Sequence, residues 1–416
     1  MGGAGDRPDP HDRQAMLRYW TAGESHGKTL LALVDGFPAG LTVDTAPIDA
    51  DLRRRQGGYG RGGRQRIETD TVELMTGVWR GVTLGGPVAL QVVNKDYKLE
   101  RLDDLPKPRP GHGDLTGSVK YLGSIRGVLE RASARETAAR VAAGGLCKQL
   151  LALFGVTVTG YVAELGGVDL MPADHEGLTV GERLARREAS IVYSLDPGRD
   201  EAMRTLIDQA RKAGDTLGGV VEVRVDNLPF GLGTHAQWDR KLDGRLAMAV
   251  MAVQAIKGVE IGLGFQAARL PGSEVHDPIQ FRPEEAHKPH LGYVRPSNRA
   301  GGLEAGMTNG QPLIIRAAKK PISTLARPLE SINLETHEAD KASYERSDVC
   351  AVPAASVIVE AVVAIEIAAA FVDKFGGDSV QEMKARYDLF LDLARARQVR
   401  PDAPPTADAV APAATS

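Results

Sequence analysis

The sequence predicts a mixed α+β chain in which strands and alanine-rich helices share one globular core. Three observations carry this. "VALQVVN" (Val88–Asn94), "VVEVRV" (Val220–Val225) and "PLIIRAA" (Pro312–Ala318) are short apolar runs rich in β-branched residues, the composition of strands. "SARETAARVAAGGLCKQLLALFG" places Ala138, Ala142, Leu146 and Leu150 at four-residue steps and stops at Gly155, a helical period with a terminal glycine. "TLGGPVALQV" at Thr83 is echoed by "TLGGVVEVRV" at Thr216, and more weakly by "NGQPLIIRA" at Asn309. Two similar β-α halves around a shared core would produce the echo. So would chance similarity of turn–strand units, and the residues alone leave both open.

Other segments follow the same periods. "DEAMRTLIDQARKAG" (Asp200–Gly214) and "DGRLAMAVMAVQAIKG" (Asp243–Gly258) read as helices. The apolar run Ala354–Val372 is long enough to test as a membrane span, but Glu360 and Glu366 fall inside it. A carboxylate at mid-membrane costs roughly 2.5–3.5 kcal/mol, so the run reads as a core helix extending to Phe375. Between residues 29 and 110 the chain reads mostly as strand and loop. Residues 1–15, rich in Gly, Pro and charge, read as a disordered extension, with Met16 an alternative start. Residues 399–416 read as a loose Pro/Ala-rich tail. The 16–398 stretch contains nothing that looks like a linker and is expected to form one domain.

Composition narrows the function classes. Hydrophobic residues are 43% and charged residues 25%, and the formal net charge is −3, so overall charge offers no footprint for nucleic acid. Only Cys147 and Cys350 occur, far apart, which suits a reducing compartment and gives neither a disulfide framework nor a metal cluster. The N-terminus lacks the apolar core of a secretory signal.

Chemistry-bearing residues collect in glycine-rich loops. "AGESHGKT" (Ala22–Thr29) has the letters of a phosphate loop with Ala for the first Gly. A working phosphate loop needs a helix directly after it to hold the anion. Here "LLALVDG" follows and reads as a strand, so the residue that matters is His26, set between glycines where its ring can enter a cleft. "RRRQGGYGRGGRQR" packs Arg53, Arg54, Arg55, Arg61, Arg64 and Arg66 around five glycines. Guanidinium forks suit phosphate and carboxylate, although a solvated basic loop or an RNA-binding tract would look the same. "RPGHGD" sets His112 beside Arg109 and Asp114, a ring able to exchange a proton near neutral pH. "ERASARET" offers Arg131, Ser133 and Arg135, with Ser133 and Glu136 at capping-box spacing. "KKPIST" brings Lys320, Ser323 and Thr324, suited to a cofactor phosphate. "ERSDVCAVPAA" brings Arg346 and Asp348, the latter a helix N-terminal residue or a general base. The inventory fits a site for small, multiply anionic ligands with proton transfer.

In order along the chain, "TAGESHG", "RRRQGGYGRGGR", "RPGHGD", "ERASARETAARVAAG", "GDTLGGVVEV", "QAIKGVEIG", "NRAGGLEAGMTNGQP", "KPIST" and "RSDVCAVPAA" resemble the signature segments of the chorismate synthase family. The match runs from about Met16 to about Ser379 and is weak between about Gly166 and Asp200. The resemblance implies an anti-1,4-elimination of phosphate from 5-enolpyruvylshikimate 3-phosphate, dependent on reduced FMN. NADPH would be an indirect reductant, with an external flavin reductase as a further partner. It implies an α+β fold, a single β-α-β sandwich of antiparallel sheets around a helical core with pseudo-twofold similarity. It also implies a cytoplasmic homotetramer without nucleic-acid, membrane or metal partners. Carried over by motif, His26 would protonate the departing phosphate, His112 would stabilise the reduced flavin, and Asp348 would assist proton removal from it. FMN positions would be Arg131, Ala132, Ser133, Gln254, Ala255, Ala305, Lys320, Pro321, Ile322, Ser323, Thr324 and Arg346. Arg55 and Arg61 match basic-loop positions for NADP or substrate phosphate, and Arg109 and Arg135 are assigned to substrate. The competing class is a nucleotide-driven or RNA-binding protein using Ala22–Thr29 and Arg53–Arg66.

Overall fold

A computed structural model describes residues 17–63, 69–170, 177–345 and 347–399. The expected tails, except Val399, lie outside the described residues, as do Arg64, Arg66 and Arg346. The helices are α1 (Thr45–Gln56), α2 (Asp114–Tyr121), α3 (Ile125–Ala132), α4 (Thr137–Ala152), α5 (Val180–Ala189), α6 (Asp200–Ala213), α7 (Leu242–Met251), α8 (Gly272–Val275), α9 (Val352–Phe375) and α10 (Val380–Val399).

Two antiparallel sheets enclose the central helices. The first runs in spatial order Arg18–Ala22, Thr29–Asp35, Val88–Val93, Glu73–Thr76. The second runs Ile256–Ile261, Leu313–Lys319, Gly219–Asp226, Thr157–Leu165, Val168–Asp169. Strand alternation does what period two requires. Leu30, Ala32 and Val34 point inward with Val88, Leu90 and Val92, onto α4. On the second sheet Val221, Val223 and Val225 point inward with Leu313, Ile315 and Ala317, onto α9. The two Gly-Gly turns feed Val88–Val93 and Gly219–Asp226, each an inner strand of its own sheet, so the sequence echo reports the two-sided architecture.

α4 and α9 meet along small residues. A Cβ on Gly144 would lie 2.5 Å from the Cβ of Ala361, closer than side chains come, so the "AAGGL" stretch is what lets the two backbones approach. α9 is long and apolar enough to cross a membrane, yet 94% of its most apolar window is buried inside the protein. At its far end Phe371 stacks on Tyr387 of α10 and meets Phe154, and Phe375 meets Tyr387 edge-on.

Both glutamates of α9 are paired. Glu360, 1% exposed, accepts from Arg54 of α1 at 2.9 Å, Lys148 of α4 at 2.6 Å, Arg187 of α5 at 3.1 Å and the Gly160 backbone at 2.9 Å. Burial alone would raise its carboxyl, but the three cations outweigh burial and hold it far below the ordinary value. Glu366 pairs with Arg245 at 3.2 Å, and there burial wins and raises the carboxyl.

Four sequence expectations change. The helix expected over Asp243–Gly258 is α7 followed by a strand. Ala255 takes φ +68, which reverses the chain, and Ile256–Ile261 then pairs with Leu313–Lys319. The 29–110 stretch contains α1, started by Asp44, whose side chain accepts from Ala46 N. The capping box at Ser133 is absent: Ser133 closes α3 and accepts from Arg135 N, while Glu136 turns to Arg140. Asp348 lies before the cap of α9 at Ala351 and binds a loop instead.

Glu360 sets a stability prediction. Its folded carboxyl is depressed, so its contribution is full above the unfolded value of 4.5 and is lost as pH falls below it. Glu360→Ala removes the buried carboxylate that Arg54, Lys148 and Arg187 share, leaving Asp51 to the first two and Glu188 to the third, and should cost about 3–5 kcal/mol, read as a lower urea midpoint at pH 7. The deficit should shrink as the pH is lowered below 4.5. An unchanged midpoint would mean that the cations are solvated independently of Glu360.

Candidate active site

The Ala22–Thr29 segment is the turn of an antiparallel hairpin between Arg18–Ala22 and Thr29–Asp35. No helix follows it, so the frame of a phosphate loop is missing. Asn94 holds this turn, its amide donating to the carbonyls of Glu24 at 3.1 Å and Gly27 at 2.8 Å. Asn94 in turn accepts from Arg135 Nε at 2.8 Å. Arg135 grips both oxygens of buried Asp70 at 2.6 and 2.8 Å, and Arg55 reaches the same carboxylate at 2.8 Å. Burial would raise the Asp70 carboxyl, but Arg135 and Arg55 hold it below the usual range. Burial lowers the Arg55 guanidinium to about 10, partly offset by Asp70. Arg55 and Arg135, expected to meet ligand, therefore converge on Asp70.

His26 is nearly buried at the tip of the turn. Its Nδ1 lies 2.9 Å from Glu130 Oε1 on the last turn of α3, and its backbone N donates to Glu130 Oε2 at 2.7 Å. Asp96 Oδ2 lies 3.9 Å from Nε2 and is paired with Lys98 at 3.0 Å. The Ser25 hydroxyl meets that of Ser133 at 3.1 Å.

The second histidine loop is locked by Asp114. Arg109 donates to Asp114 through Nε at 2.8 Å and through its backbone N at 3.0 Å, and His112 Nδ1 also contacts this carboxylate. Burial raises the Asp114 carboxyl, but bonds from His112 and Arg109 pull it well below the usual range. Arg109 also donates to Thr324 Oγ1 at 3.0 Å, and Lys320 Nζ donates to the Gly111 carbonyl at 2.7 Å. The His112 loop thus rests on the Lys320–Thr324 segment.

Asp348 folds the basic loop over this wall. Its oxygens accept from Arg61 at 2.6 Å and from Gly62 N at 2.6 Å. Lys319 is buried nearby; burial lowers its ammonium to about 8, against the opposing pull of Cys350 and Asp348.

Of the positions assigned to FMN by resemblance, Ala255 and Lys320 are bonded to each other directly, and several others bond to neighbouring residues of the same region. Arg131 donates to the carbonyls of Thr21 and Gly23 at 2.8 and 3.1 Å. Thr21 donates to Glu136, and Gln254 donates to Glu136 at 3.1 Å. Lys320 N donates to the Ala255 carbonyl at 2.9 Å, and Thr216 donates to the Ile322 carbonyl at 2.7 Å. Ala132 ends α3 beside them, and Pro321 packs by Gly218. Ala305 stands apart, next to Gly306 at the start of α7. Gln254 lies beyond the other end of α7, so about 15 Å of helix separates the two by the 1.5 Å rise. Ala255 (φ +68) and Ala305 (φ +52) both take left-handed backbone, a strained state that clusters at functional sites. The Gln254 Oε1 is buried without a protein partner. Sequence reasoning missed Glu130, Asn94, Asp70 and Lys319. Glu130 opens the quoted "ERASARET" segment, but its partner is 104 residues away.

The chorismate synthase family model matches residues 17–372. The chorismate synthase of Geobacter metallireducens is 54% identical over 395 residues, covering 91% of this chain and all of that one. That of Geobacter sulfurreducens is 51% identical, covering 92% and all respectively. A crystal structure of chorismate synthase superposes with a TM-score of 0.75 at 40% identity, over 91% of this chain and 98% of the other. Sequence, fold and the ordered motifs agree over the whole described core, and the chain belongs to the chorismate synthase family.

Proposed function

We propose that this chain converts 5-enolpyruvylshikimate 3-phosphate to chorismate at the wall running from the His26 turn to the His112 loop, with reduced FMN bound there. The observation that carries this reading is one unbroken run of contacts. Ser25 touches Ser133, Arg131 holds the His26 turn, Glu136 joins Thr21 to Gln254, Ala255 accepts from Lys320, and Lys320 holds Gly111. This run of contacts supports a reading in which both histidine loops adjoin the positions assigned to the flavin.

The residues suit a flavin. Gln254 offers a buried acceptor with no protein partner, Ala255 and Ala305 hold strained backbone, and Lys320, Ser323 and Thr324 offer one cation and two hydroxyls. Reduced FMN, when bound, supplies electron density as phosphate departs and takes up the hydrogen lost from carbon 6. The protein's part is to bind, orient and move protons. As the carbon–oxygen bond to phosphate breaks, its electron pair leaves on oxygen, and a proton from His26 neutralises the growing charge. Lys320 and Arg61 add fixed positive charge. His112, held by Asp114, would stabilise the cofactor in its reduced state, and Asp348 would assist proton removal from it. Arg55, Arg109 and Arg135 act by holding Asp70 and Asp114, and so shape the pocket for the dianionic phosphate and the carboxylates. We assign flavin reduction to an external reductase drawing on NADPH, and the setting to the cytoplasm.

A homotetramer would cover the outer face of the first sheet. Trp20 and Leu33 pair across strands on that face, with Leu31 and Val93 beside them, all exposed. Such an apolar sheet face is typical of subunit contacts. Leu31→Lys with Leu33→Lys should lower the assembly mass in light scattering while the circular dichroism stays unchanged. A wild-type monomer at micromolar concentration would overturn the tetramer.

The direct test is an anaerobic assay with chemically reduced FMN and 5-enolpyruvylshikimate 3-phosphate, following chorismate absorbance and phosphate together. Equal release of both is expected without ATP. His26→Ala and Asp348→Asn should keep FMN binding and lose turnover, by about 10²- to 10⁴-fold for the histidine. Full activity in both variants would remove these proton-transfer roles. ATP or RNA binding that weakens with salt, without phosphate elimination, would favour the competing class.

A further inference from the structure

Glu130 touches His26 at two places. One oxygen meets ring Nδ1 at 2.9 Å and the other accepts from the residue's own backbone N at 2.7 Å. The Glu130 carbonyl also accepts from Ser25 N at 2.8 Å. Side chain and main chain of one residue thus fasten both the ring and the peptide that carries it. The carboxylate is 2% exposed. Burial would raise it, but the bonds from the His26 ring and backbone outweigh this and hold it below its ordinary value, with Arg126 helping. Arg126 NH1 lies 3.7 Å from Oε1 and has no hydrogen-bond partner, while NH2 is tied to Glu345 at 3.0 Å.

An ionised carboxylate can only accept. The His26 nitrogen against it must therefore carry the hydrogen, in the neutral ring as in the charged one. That leaves Nε2, on the side of Asp96 and Lys98, as the nitrogen that gains and loses a proton. We propose that Glu130 is the positioning residue for His26: it fixes ring, tautomer and backbone so that Nε2 is presented to the departing phosphate. The proton then passes from Nε2 to the phosphate oxygen that receives the electron pair of the broken carbon–oxygen bond. The neutral ring is left with its hydrogen on Nδ1, still bonded to Glu130. This is the logic by which a buried carboxylate orients a catalytic imidazole in hydrolases, reached here by a helix residue 104 positions away in sequence.

The proposal rests on the reading of His26 as proton donor, and the experiment separates the two. The full-length protein is labelled with ring-¹⁵N histidine, the His26 signals are assigned with His26→Gln, and FMN binding checks each variant's fold. In the wild type the neutral His26 ring should be the Nδ1–H tautomer. Glu130→Leu removes the acceptor and should move it to Nε2–H, with kcat lowered by at least about tenfold and the substrate KM little changed. Glu130→Gln offers one oxygen to two donors; the His26 backbone N–H, which can only donate, takes it, and the amide nitrogen then faces Nδ1, so this variant too should favour Nε2–H and lower kcat. Its basic limb of kcat against pH should lie at lower pH than in the wild type, because losing the anion favours the neutral ring. Should Glu130→Leu fail to fold, that limb in the near-isosteric Gln variant decides alone. An unchanged tautomer in Glu130→Leu, or an unmoved limb in Glu130→Gln with normal turnover, overturns the role of Glu130. A changed tautomer with unchanged kcat in Glu130→Leu removes His26 as the donor, and the role of Glu130 with it.

Discussion

The Glu360 carboxylate, placed mid-way along the most apolar helix, is the constraint from which the active-site scaffold follows. Three cations on three other helices converge on it. A buried charge with one partner removed is far costlier than the intact group, so α1, α4, α5 and α9 can dock in only one register. Arg54, which binds Glu360, precedes Arg55, which binds Asp70. Asp70 holds Arg135, Arg135 holds Asn94, and Asn94 holds the turn carrying His26. The ion pair in the core is thereby linked, residue by residue, to the position of the His26 ring.

This linkage gives the arginines a second meaning. A guanidinium fork suits phosphate, and a count of arginines near glycines suggests many ligand contacts. In the folded chain Arg55 and Arg135 are occupied by one carboxylate and Arg109 by another. Each guanidinium carries five donors, so these bonds still leave some for an anion beside the aspartate; Arg55 Nε, for one, is buried without a partner. The aspartates fix where those donors point. The Asp348–Arg61 pair is different in kind, since it joins a glycine-rich loop to the segment leading into α9. Glycines that let such a loop close also let it open.

What could be read from the sequence divides along physical lines. The core strands, α4, α6 and α9 were legible because their signal is local: β-branched runs, a four-residue step, two glutamates that rule out a membrane. The family followed from ordered motifs, and with it the sandwich. α1 was hidden because its start signal, Asp44, precedes a proline-containing stretch that reads as loop. The end of α7 was hidden because Ala255 takes left-handed backbone without being glycine, and nothing local marks an alanine for that. Of the candidate site, both histidines and the flavin hydroxyls stood out in glycine-rich loops. Glu130, Asp70 and Asn94 did not, because each acts through a partner brought near only by the fold.

Burial, more than formal charge, sets the electrostatics beside Asp348. Lys319 faces inward at the end of its strand, and desolvation brings its ammonium down to about 8. At neutral pH it remains mostly charged, and with Arg61 it brings positive charge to Asp348. In the proposed reaction this is the carboxylate assigned to assist proton removal from the cofactor, and it would do so while held by Arg61 and the Gly62 N–H. The same cations would favour an anionic substrate. One arrangement would then serve both demands of the proposed elimination, with cations to hold a multiply negative molecule and a carboxylate fixed beside them by Arg61 and Gly62.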